Sequence, residues 1–246
     1  MAPQRVSLYD AHGRPLLSYL PGMRDGLPWA DNATLLAPAA NVCAVVLEQL
    51  PGWLVSVSPG FGAELLRHGA SLHRHAFTMA LELRPGMPEP APPDGLRFVP
   101  CDRPAAEIQP AISAAFPPGH PDHQADDETL PSSAGVSELE QLISGSLVGP
   151  LLPCSLLAIG QTGVVVAGCL INDLAPRPWI SLIFRDPGRS PRGTGALMLA
   201  VAAARAGNGG ITSIGLAVTA GNPAQRVYQR AGFTTLDESF TVRIPS

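Results

Sequence analysis

The chain has 246 residues, of which 46% are apolar and 15% charged, and its formal net charge is −4. This balance is typical of globular proteins with a sizeable core and excludes an intrinsically disordered chain. The slightly acidic charge provides no general attraction to nucleic acid or to an anionic membrane, and no apolar run approaches the roughly 18 residues of a membrane span. The first residues lead into a strand pattern rather than a secretory signal. We therefore expect a cytoplasmic protein without nucleic-acid or membrane partners.

Cysteine and lysine usage exclude several kinds of chemistry. The cysteines are far apart and form no C-x-x-C pair, so the sequence shows no zinc or redox motif and we expect no metal. Buried free thiols are the expected state of all four cysteines, Cys43, Cys101, Cys154 and Cys169. The chain contains no lysine, which excludes a mechanism through a lysine Schiff base.

The first third of the chain has the pattern of a small α/β lobe. Gly69 closes its second helix, as glycine commonly does at a helix C-terminus. A cluster of prolines follows and predicts an extended linker, which we place at residues 84–95. Apolar periodicity predicts strands at residues 6–9, 16–20, 53–57 and 70–83, with helices at 39–50 and 61–68.

A second α/β pattern begins after the linker. Its element order predicts a mixed sheet with helices packed on it, an α/β (α+β) fold that contains one βαβ unit. Ser137 and Glu140 have the spacing of a capping box at a helix start. The predicted strands are at 96–99, 155–159, 164–171, 180–184, 211–218 and within 233–244, and the predicted helices at 105–116, from 137, 196–206 and 223–230.

A glycine-containing loop joins one of these strands to a helix. Residues 189–195 read R-S-P-R-G-T-G, between the strand at 180–184 and the helix at 196–206. This arrangement directs free backbone N–H groups and a helix N-terminus at a phosphate, although a plain turn that needs glycine explains the pattern equally well. Dinucleotide binding fits less well, because the third glycine and the acidic residue after the next strand are missing. A P-loop is excluded because no lysine follows the glycines.

A second motif follows one strand later, where residues 222–233 read N-P-A-Q-R-V-Y-Q-R-A-G-F. This is the pattern N-x-A-x-x-x-Y-x-x-x-G-F. Gly193 and Gly195 also match the small positions of a loop motif [Q/R]-x-x-G-x-[G/A]. Together the two motifs resemble the GNAT superfamily of acyl-CoA-dependent N-acyltransferases. The loop departs from the family pattern at its first position, which is Ser190, with Arg189 and Arg192 beside it.

The resemblance covers about residues 96–244 and implies both a fold and an activity. The implied fold is GNAT-like, with a smaller N-terminal α/β lobe. The implied activity transfers an acetyl or longer acyl group from acyl-CoA, the co-substrate, to a primary amine by direct attack in a ternary complex. By the same resemblance Tyr228 is the catalytic residue, which protonates the departing CoA thiolate.

The resemblance also implies a set of cofactor-binding residues. Backbone groups of Ile183, Phe184 and Arg185 are expected along the pantetheine arm, where an N–H group can polarise the thioester carbonyl. Asn222 is expected either to contact the cofactor or to cap its helix. The residues expected around the pyrophosphate are Ser190, Pro191, Arg192, Gly193, Thr194, Gly195 and Ala196.

The general base and the acceptor stay open at this point. The candidates for the general base are His120, Asp122, His123 and Asp173. All four are explained at least as well as ordinary solvated residues. The neutral-to-acidic surface favours a small-molecule amine as the acceptor. The competing interpretation is a catalytically inactive acyl-CoA-binding sensor or interaction module, and Ser190 is the residue that supports it.

The N-terminal segment resembles a partial, degenerate GNAT lobe. Aligning Gly69 with Gly232 puts Leu65 at the position of Tyr228, and no glycine-rich loop precedes it. The sequence therefore predicts a non-catalytic lobe at residues 1–83, a linker at 84–95 and a GNAT N-acetyltransferase domain at 96–246. It makes no prediction of the oligomeric state.

Overall fold

The computed structural model describes residues 4–122 and 133–246. Their contacts form two compact units, one made of the chain up to Thr78 together with Leu236–Ser246, and the other of Met79–Thr235. The end of the chain therefore belongs to the first unit. The division at residues 83 and 95 that the sequence suggests stays a prediction.

Strands and helices alternate along most of the chain. Strands β5 and β11 cross the boundary between the units, so each contributes residues to both. The elements are β1 (Val6–Tyr9), β2 (Pro15–Arg24), β3 (Leu27–Leu35), α1 (Ala39–Gln49), β4 (Leu54–Val57), α2 (Pro59–Arg67), β5 (Ser71–Glu82), β6 (Arg97–Pro100), α3 (Ala105–Ala115), α4 (Ser133–Ser144), β7 (Leu156–Ile159), β8 (Val165–Asn172), β9 (Trp179–Arg185), α5 (Thr194–Asn208), β10 (Ser213–Thr219), α6 (Ala224–Arg230) and β11 (Thr234–Arg243).

The first unit is a mixed sheet with two helices. Strands β1, β2 and β3 form an antiparallel meander, β4 runs parallel to β3, and β11 pairs antiparallel with β4. The core lies between this sheet and helices α1 and α2, and it includes Leu17, Val42, Val46, Val55 and Leu65. Because both the helices and the strands contribute buried side chains to this cluster, the unit has a hydrophobic core of its own.

The second unit has a similar succession of pairings, with one more antiparallel strand. Strands β6, β7, β8 and β9 are antiparallel neighbours, and β10 runs parallel to β9. Helices α3 and α4 pack on one face through a core that includes Ile108, Leu139, Leu157 and Leu170. Helix α5 contacts β7, β8 and β9 as well. The predicted α/β fold class, a mixed sheet with packed helices, is confirmed.

Two features of the fold differ from the sequence-based expectation. Strand β3 was not predicted, because Pro28, Asp31 and Asn32 interrupt its apolar alternation. The predicted capping box is wrong, since α4 begins at Ser133 and Ser137 lies inside the helix, where its Oγ accepts a hydrogen bond from Gln141 Nε2 at 3.4 Å. In the described part of the chain, no helix is long and apolar enough to cross a membrane.

Candidate functional site

Strands β9 and β10 begin side by side and then diverge. Their parallel pairing has one register position, Gly215 opposite Trp179, and Gly215 N–H donates to the Pro178 carbonyl at 2.9 Å. The Trp179 ring lies against Gly215, where a Cβ would be 2.7 Å from the ring. Beyond this point the described strands have no further paired positions. The later residues of β9 therefore have an open edge on the side of β10.

The hydrogen bonding of β9 shows which backbone groups face this edge. Asp186, directly after the strand, donates its N–H to Val166 O at 2.8 Å, so these two residues form a hydrogen-bonded pair of the ladder with β8. Hydrogen-bonded and non-hydrogen-bonded pairs alternate in an antiparallel ladder. Phe184 therefore directs its N–H and C=O to β8, whereas Ile183 and Arg185 direct theirs to the open edge.

The side chain of Phe184 is part of the hydrophobic core. Its ring lies over Gly168 of β8, where a Cβ would be 2.5 Å from the ring edge, so only glycine leaves room for it. The register between β8 and β9 shifts between Leu170 and Ile171, which leaves Ser181 as an extra residue in β9. Such a bulge bends the strand locally, consistent with its divergence from β10.

The turn after β9 is organised by Asp186, which sequence reasoning missed. The Asp186 carboxylate is buried, and its Oδ1 accepts the N–H groups of Gly188 at 2.8 Å and Arg189 at 3.1 Å. Ser190 is also turned inward, since its Oγ donates to the Asp186 carbonyl at 2.6 Å. An Asp followed by Pro-Gly is the sequence signal of such a turn. The Ser190 hydroxyl therefore holds the loop together.

Helix α5 starts with unused hydrogen-bond donors. Gly193, at the N-cap, has φ of 90°, and no side chain caps the helix. Thr194 N–H and Oγ1 both bond to the Pro191 carbonyl, at 3.3 and 2.8 Å. Within the described residues, the N–H groups of Arg192 and Gly193 donate to no protein acceptor. The first turn of a helix adds further N–H groups without helical partners and the positive end of the helix dipole, so this terminus suits an anion.

The glycine at position 195 leaves open space at the start of α5 that no protein atom fills. It lies in the first turn of α5, where glycine costs about 1 kcal/mol relative to alanine. A Cβ at this position would meet no heavy atom within 4 Å, so packing inside the protein does not require glycine. The space in front of Gly195 is open, and Arg192, three residues earlier in the chain, is exposed.

Asn222 joins the start of α6 to the loop after α3. Its Oδ1 accepts the N–H of Ala224, the first residue of α6, at 2.8 Å, although the N-cap position itself is Pro223. Its Nδ2 donates to the carboxylate of Asp122, and the hydroxyl of Thr219, the last residue of β10, donates to the same carboxylate. A cavity of about 260 Å³ lies beside this junction, lined by Gly221, Asn222, Pro223, Gln225 and Arg226.

Tyr228 lies in α6, one turn beyond this junction. Its side chain is 8% exposed and packs against Phe233, with ring centroids 5.9 Å apart. Burial raises the pKa of Tyr228 well above its usual range, and the nearby Cys169 and Asp122 raise it further. Within the described residues the hydroxyl makes no hydrogen bond to the protein. Tyr228 is therefore a protonated donor that is free to bond to a ligand.

The candidate bases lie in different places. Asp122 lies at the carboxyl end of β10, where its carboxylate accepts a hydrogen bond from Thr219, and its charge contributes to the raised pKa of Tyr228. The ring of His120 accepts the Asp122 N–H at Nδ1, 3.1 Å away, so in the neutral ring Nε2 carries the proton. Asp173 follows β8, which is antiparallel to β9, and so lies at the end where β9 and β10 are paired. His123 lies outside the described residues.

Thr219 was not found by sequence reasoning, because a threonine at a strand end gives no specific signal. Its bond to Asp122 joins residues 97 positions apart. The cysteines behave largely as expected: Cys43, Cys154 and Cys169 are buried free thiols, and Cys101 is partly buried. Burial raises the pKa of Cys169 far above its usual range, so this thiol is not a nucleophile at neutral pH.

No protein-family model and no curated protein matches the sequence. Solved structures do match in fold. A GCN5-related N-acetyltransferase from Sphaerobacter thermophilus has a TM-score of 0.70 and 17% identity, over 99% of this chain and 82% of that chain. One from Kribbella flavida has a TM-score of 0.60 and 19% identity, over 99% of this chain and 90% of that chain.

A third similar structure is a tandem GNAT protein from the clavulanic acid biosynthesis pathway. Its TM-score is 0.59 and its identity 13%, over 95% of this chain and 79% of that chain. At these identities the likeness concerns the fold. The chain therefore has the fold of the GCN5-related N-acetyltransferases over nearly its whole length, and the predicted resemblance to the GNAT superfamily is confirmed at that level.

Proposed function

We propose that this protein is an acyl-CoA-dependent N-acyltransferase that moves an acetyl or other acyl group to a primary amine of a small molecule. The observation that carries the proposal is the open edge of β9 beside the glycine-opened N-terminus of α5. An extended, amide-bearing pantetheine arm pairs with a strand edge, and a pyrophosphate bonds to free N–H groups at a helix start. The fold of the similar solved structures supports the same class of reaction.

The residues present fit such a co-substrate. Ile183 and Arg185 offer N–H and C=O groups at the open edge, whereas those of Phe184 face β8. The N–H groups of Arg192 and Gly193 are available for phosphate oxygens. Because the Ser190 hydroxyl is used inside the loop, phosphate binding depends on backbone N–H groups and on the neighbouring arginines.

The proposed reaction is a direct transfer. The amine nitrogen attacks the thioester carbonyl carbon, a C–N bond forms, the C–S bond breaks, and the electron pair leaves with sulfur. A backbone N–H at the open edge of β9 stabilises the negative charge on the carbonyl oxygen. Tyr228 donates its O–H to the departing sulfur, and its raised pKa keeps this proton in place across the working pH range.

The nitrogen must also lose a proton, and we assign Asp122 as the acceptor. Among the candidates it is the carboxylate at the junction of β10 and α6, the helix that carries Tyr228. Its bonds to Thr219 and Asn222 fix its orientation, which general base catalysis requires. His120 holds its proton at Nε2, which leaves that nitrogen without a free lone pair.

A second candidate function is an acyl-CoA sensor without turnover. The inward-turned hydroxyl of Ser190 favours it, because this loop position contributes no side chain to a ligand. The two functions differ in one measurable respect: the sensor binds acyl-CoA but forms no acylated amine with any acceptor.

The experiment that tests the enzyme is Tyr228→Phe, assayed for acyl transfer from acetyl-CoA to a panel of amines. We expect kcat to fall about 100-fold while the Kd for acetyl-CoA changes less than about threefold, because only the proton donor is removed. Tyr19→Phe is the matched control, since Tyr19 is a buried tyrosine of the first unit, and it should retain full activity. Unchanged turnover of Tyr228→Phe between pH 6 and 9 would contradict the role of Tyr228. Binding without any turnover in the wild type would support the sensor.

A further inference from the structure

Helices α1 and α2 of the first unit bring together three side chains with metal-binding atoms. The thiol of Cys43, the carboxylate of Glu64 and one ring nitrogen of His68 all lie within 4.8 Å of one another. None of the three takes part in the proposed transfer reaction. No local sequence pattern indicates this cluster, because Cys43 is more than 20 positions from Glu64 and only the packing of α1 on α2 joins them.

The cluster has the geometry of a site that is closed on one side and open on the other. Glu64 of α2 and His68, the residue directly after the helix, are four residues apart and therefore lie on the same side, with His68 Nδ1 3.5 Å from Glu64 Oε1. Cys43 is 3% exposed and belongs to the core of the unit, whereas the His68 side chain is 50% exposed. The cluster therefore has its imidazole on the solvent side and its thiol on the core side.

We propose that Cys43, Glu64 and His68 form a binding site for Zn²⁺ in the first unit. Thiolate, imidazole and carboxylate are the three ligand types that zinc takes in proteins, and a tetrahedral ion with three protein ligands keeps its fourth position for water. A sulfur and a nitrogen ligand select against Mg²⁺ and Ca²⁺, which need several oxygen ligands. On binding, the Cys43 thiol releases its proton to solvent, and the thiolate and the Glu64 carboxylate together neutralise the two charges of the ion.

Arg67 competes with the ion for Glu64. In the structure its guanidinium forms an ion pair with Glu64 Oε2, one helical turn away. The Arg67 side chain is 68% exposed, so this pair contributes little to stability and is easily exchanged. Removing Arg67 should therefore increase the affinity for the metal, whereas removing a ligand should decrease it.

The test is a Co²⁺ titration of the full chain after chelator treatment, followed by displacement with Zn²⁺. We expect one equivalent of Co²⁺ to give a thiolate-to-metal charge-transfer band and the visible absorption of a tetrahedral site, both abolished by Zn²⁺. His68→Ala, an exposed position, should weaken Zn²⁺ binding at least about tenfold, and Arg67→Ala should strengthen it. Cys43→Ser should abolish the thiolate band.

The control is Cys154→Ser, which changes a buried thiol of the second unit and should leave the titration unchanged. A wild-type chain that gives no thiolate band with Co²⁺ would overturn the proposal. So would a band of full intensity in folded Cys43→Ser, or Zn²⁺ affinity that is the same in His68→Ala as in the wild type. Since His68 is exposed, its variant keeps the test valid even if the Cys43 variant fails to fold.

Discussion

Helix α2 of the first unit and helix α6 of the second unit end in the same way. At the end of α2, the N–H of Ala70 donates to the Leu65 carbonyl at 3.1 Å, and at the end of α6 the N–H of Phe233 donates to the Tyr228 carbonyl at 3.0 Å. In both turns the residue before the donor is a glycine with positive φ, 97° in the first unit and 96° in the second. The backbone of one turn therefore repeats that of the other.

The units differ in the side chains and in the connection that precedes this turn. Leu65 is an aliphatic part of a closed core, whereas Tyr228 offers a hydroxyl without a protein partner among the described residues. Helix α1 follows Pro38 without a glycine-rich loop, whereas α5 follows Gly193. Under the proposed function, this backbone supports chemistry only where the strand edge is open, the helix start is free and the phenol is present.

The largest expected effect comes from placing a negative charge at the start of α5 in the second unit. The same charge at the start of α2 in the first unit is the control. Gly195→Glu should raise the Kd for acetyl-CoA by about 100-fold, because a carboxylate replaces open space where phosphate oxygens would lie. The same change should raise the free energy of unfolding by about 1 kcal/mol, since Glu is a better helix former than Gly and suits a helix N-terminus. Isothermal titration and urea unfolding measure the two effects.

Gly60→Glu is the matched control for this variant. Gly60 lies in the first turn of α2, and a Cβ there also meets no atom within 4 Å. We expect the same gain in stability and no change in acetyl-CoA binding. Equal loss of binding in both variants would contradict the difference between the units.

A smaller effect is expected at Asp122. Asp122→Asn should lower kcat for amine acylation by roughly tenfold or more, because the base is lost and an amide N–H faces the donors of Asn222 or Thr219. Acetyl-CoA binding should change little. Asp173→Asn, at the paired end of β9 and β10, serves as the control and should behave as wild type in steady-state kinetics. Equal kcat values for the two variants would remove Asp122 from the mechanism.

The smallest expected effect is the contribution of Cys154, in the second unit, to a loss of stability in alkali. Burial raises the pKa of Cys154 from 9.0 to about 11. Between these values the unfolded thiol releases its proton while the folded one retains it, so stability is complete below pH 9 and falls as pH rises, by roughly 1 kcal/mol per pH unit. Cys154→Ala should flatten the decline measured by urea unfolding at pH 8 to 10.5. A decline as steep as that of the wild type would refute this assignment.

Local patterns predicted most elements of the fold, and long-range contacts explain most of the rest. The loop from Arg189 to Gly195 and the turn at Gly232 have sequence signals because glycine is needed at specific backbone angles. Strand β3 has none, because Asn32 has positive φ and the strand depends on its pairing with β2 and on hydrogen bonds from Arg5. The return of β11 to β4 likewise depends on residues far apart in the chain.

In the candidate site, too, some residues have a local sequence signal and others depend on long-range contacts. Tyr228, Asn222 and the glycines were found from motifs, because each occupies a fixed position relative to a helix end. The hydrogen bonds of Thr219 and Asn222 to Asp122 join segments about 100 residues apart, and no local sequence pattern predicts them. The inward orientation of Ser190 follows from the buried carbonyl of Asp186, which the sequence pattern does not reveal.

The central claim is that the second unit binds an acyl-CoA thioester at the open edge of β9 and the start of α5. The most direct test is thermal and urea unfolding of the wild type in the presence of acetyl-CoA, longer acyl-CoAs, CoA, ATP or NAD. The account predicts that acetyl-CoA or a longer acyl-CoA, at a hundredfold excess over its Kd, stabilises the protein by about 3 kcal/mol, with little effect of ATP or NAD. Stabilisation by ATP or NAD alone, or by none of the CoA species at saturating concentration, would contradict it.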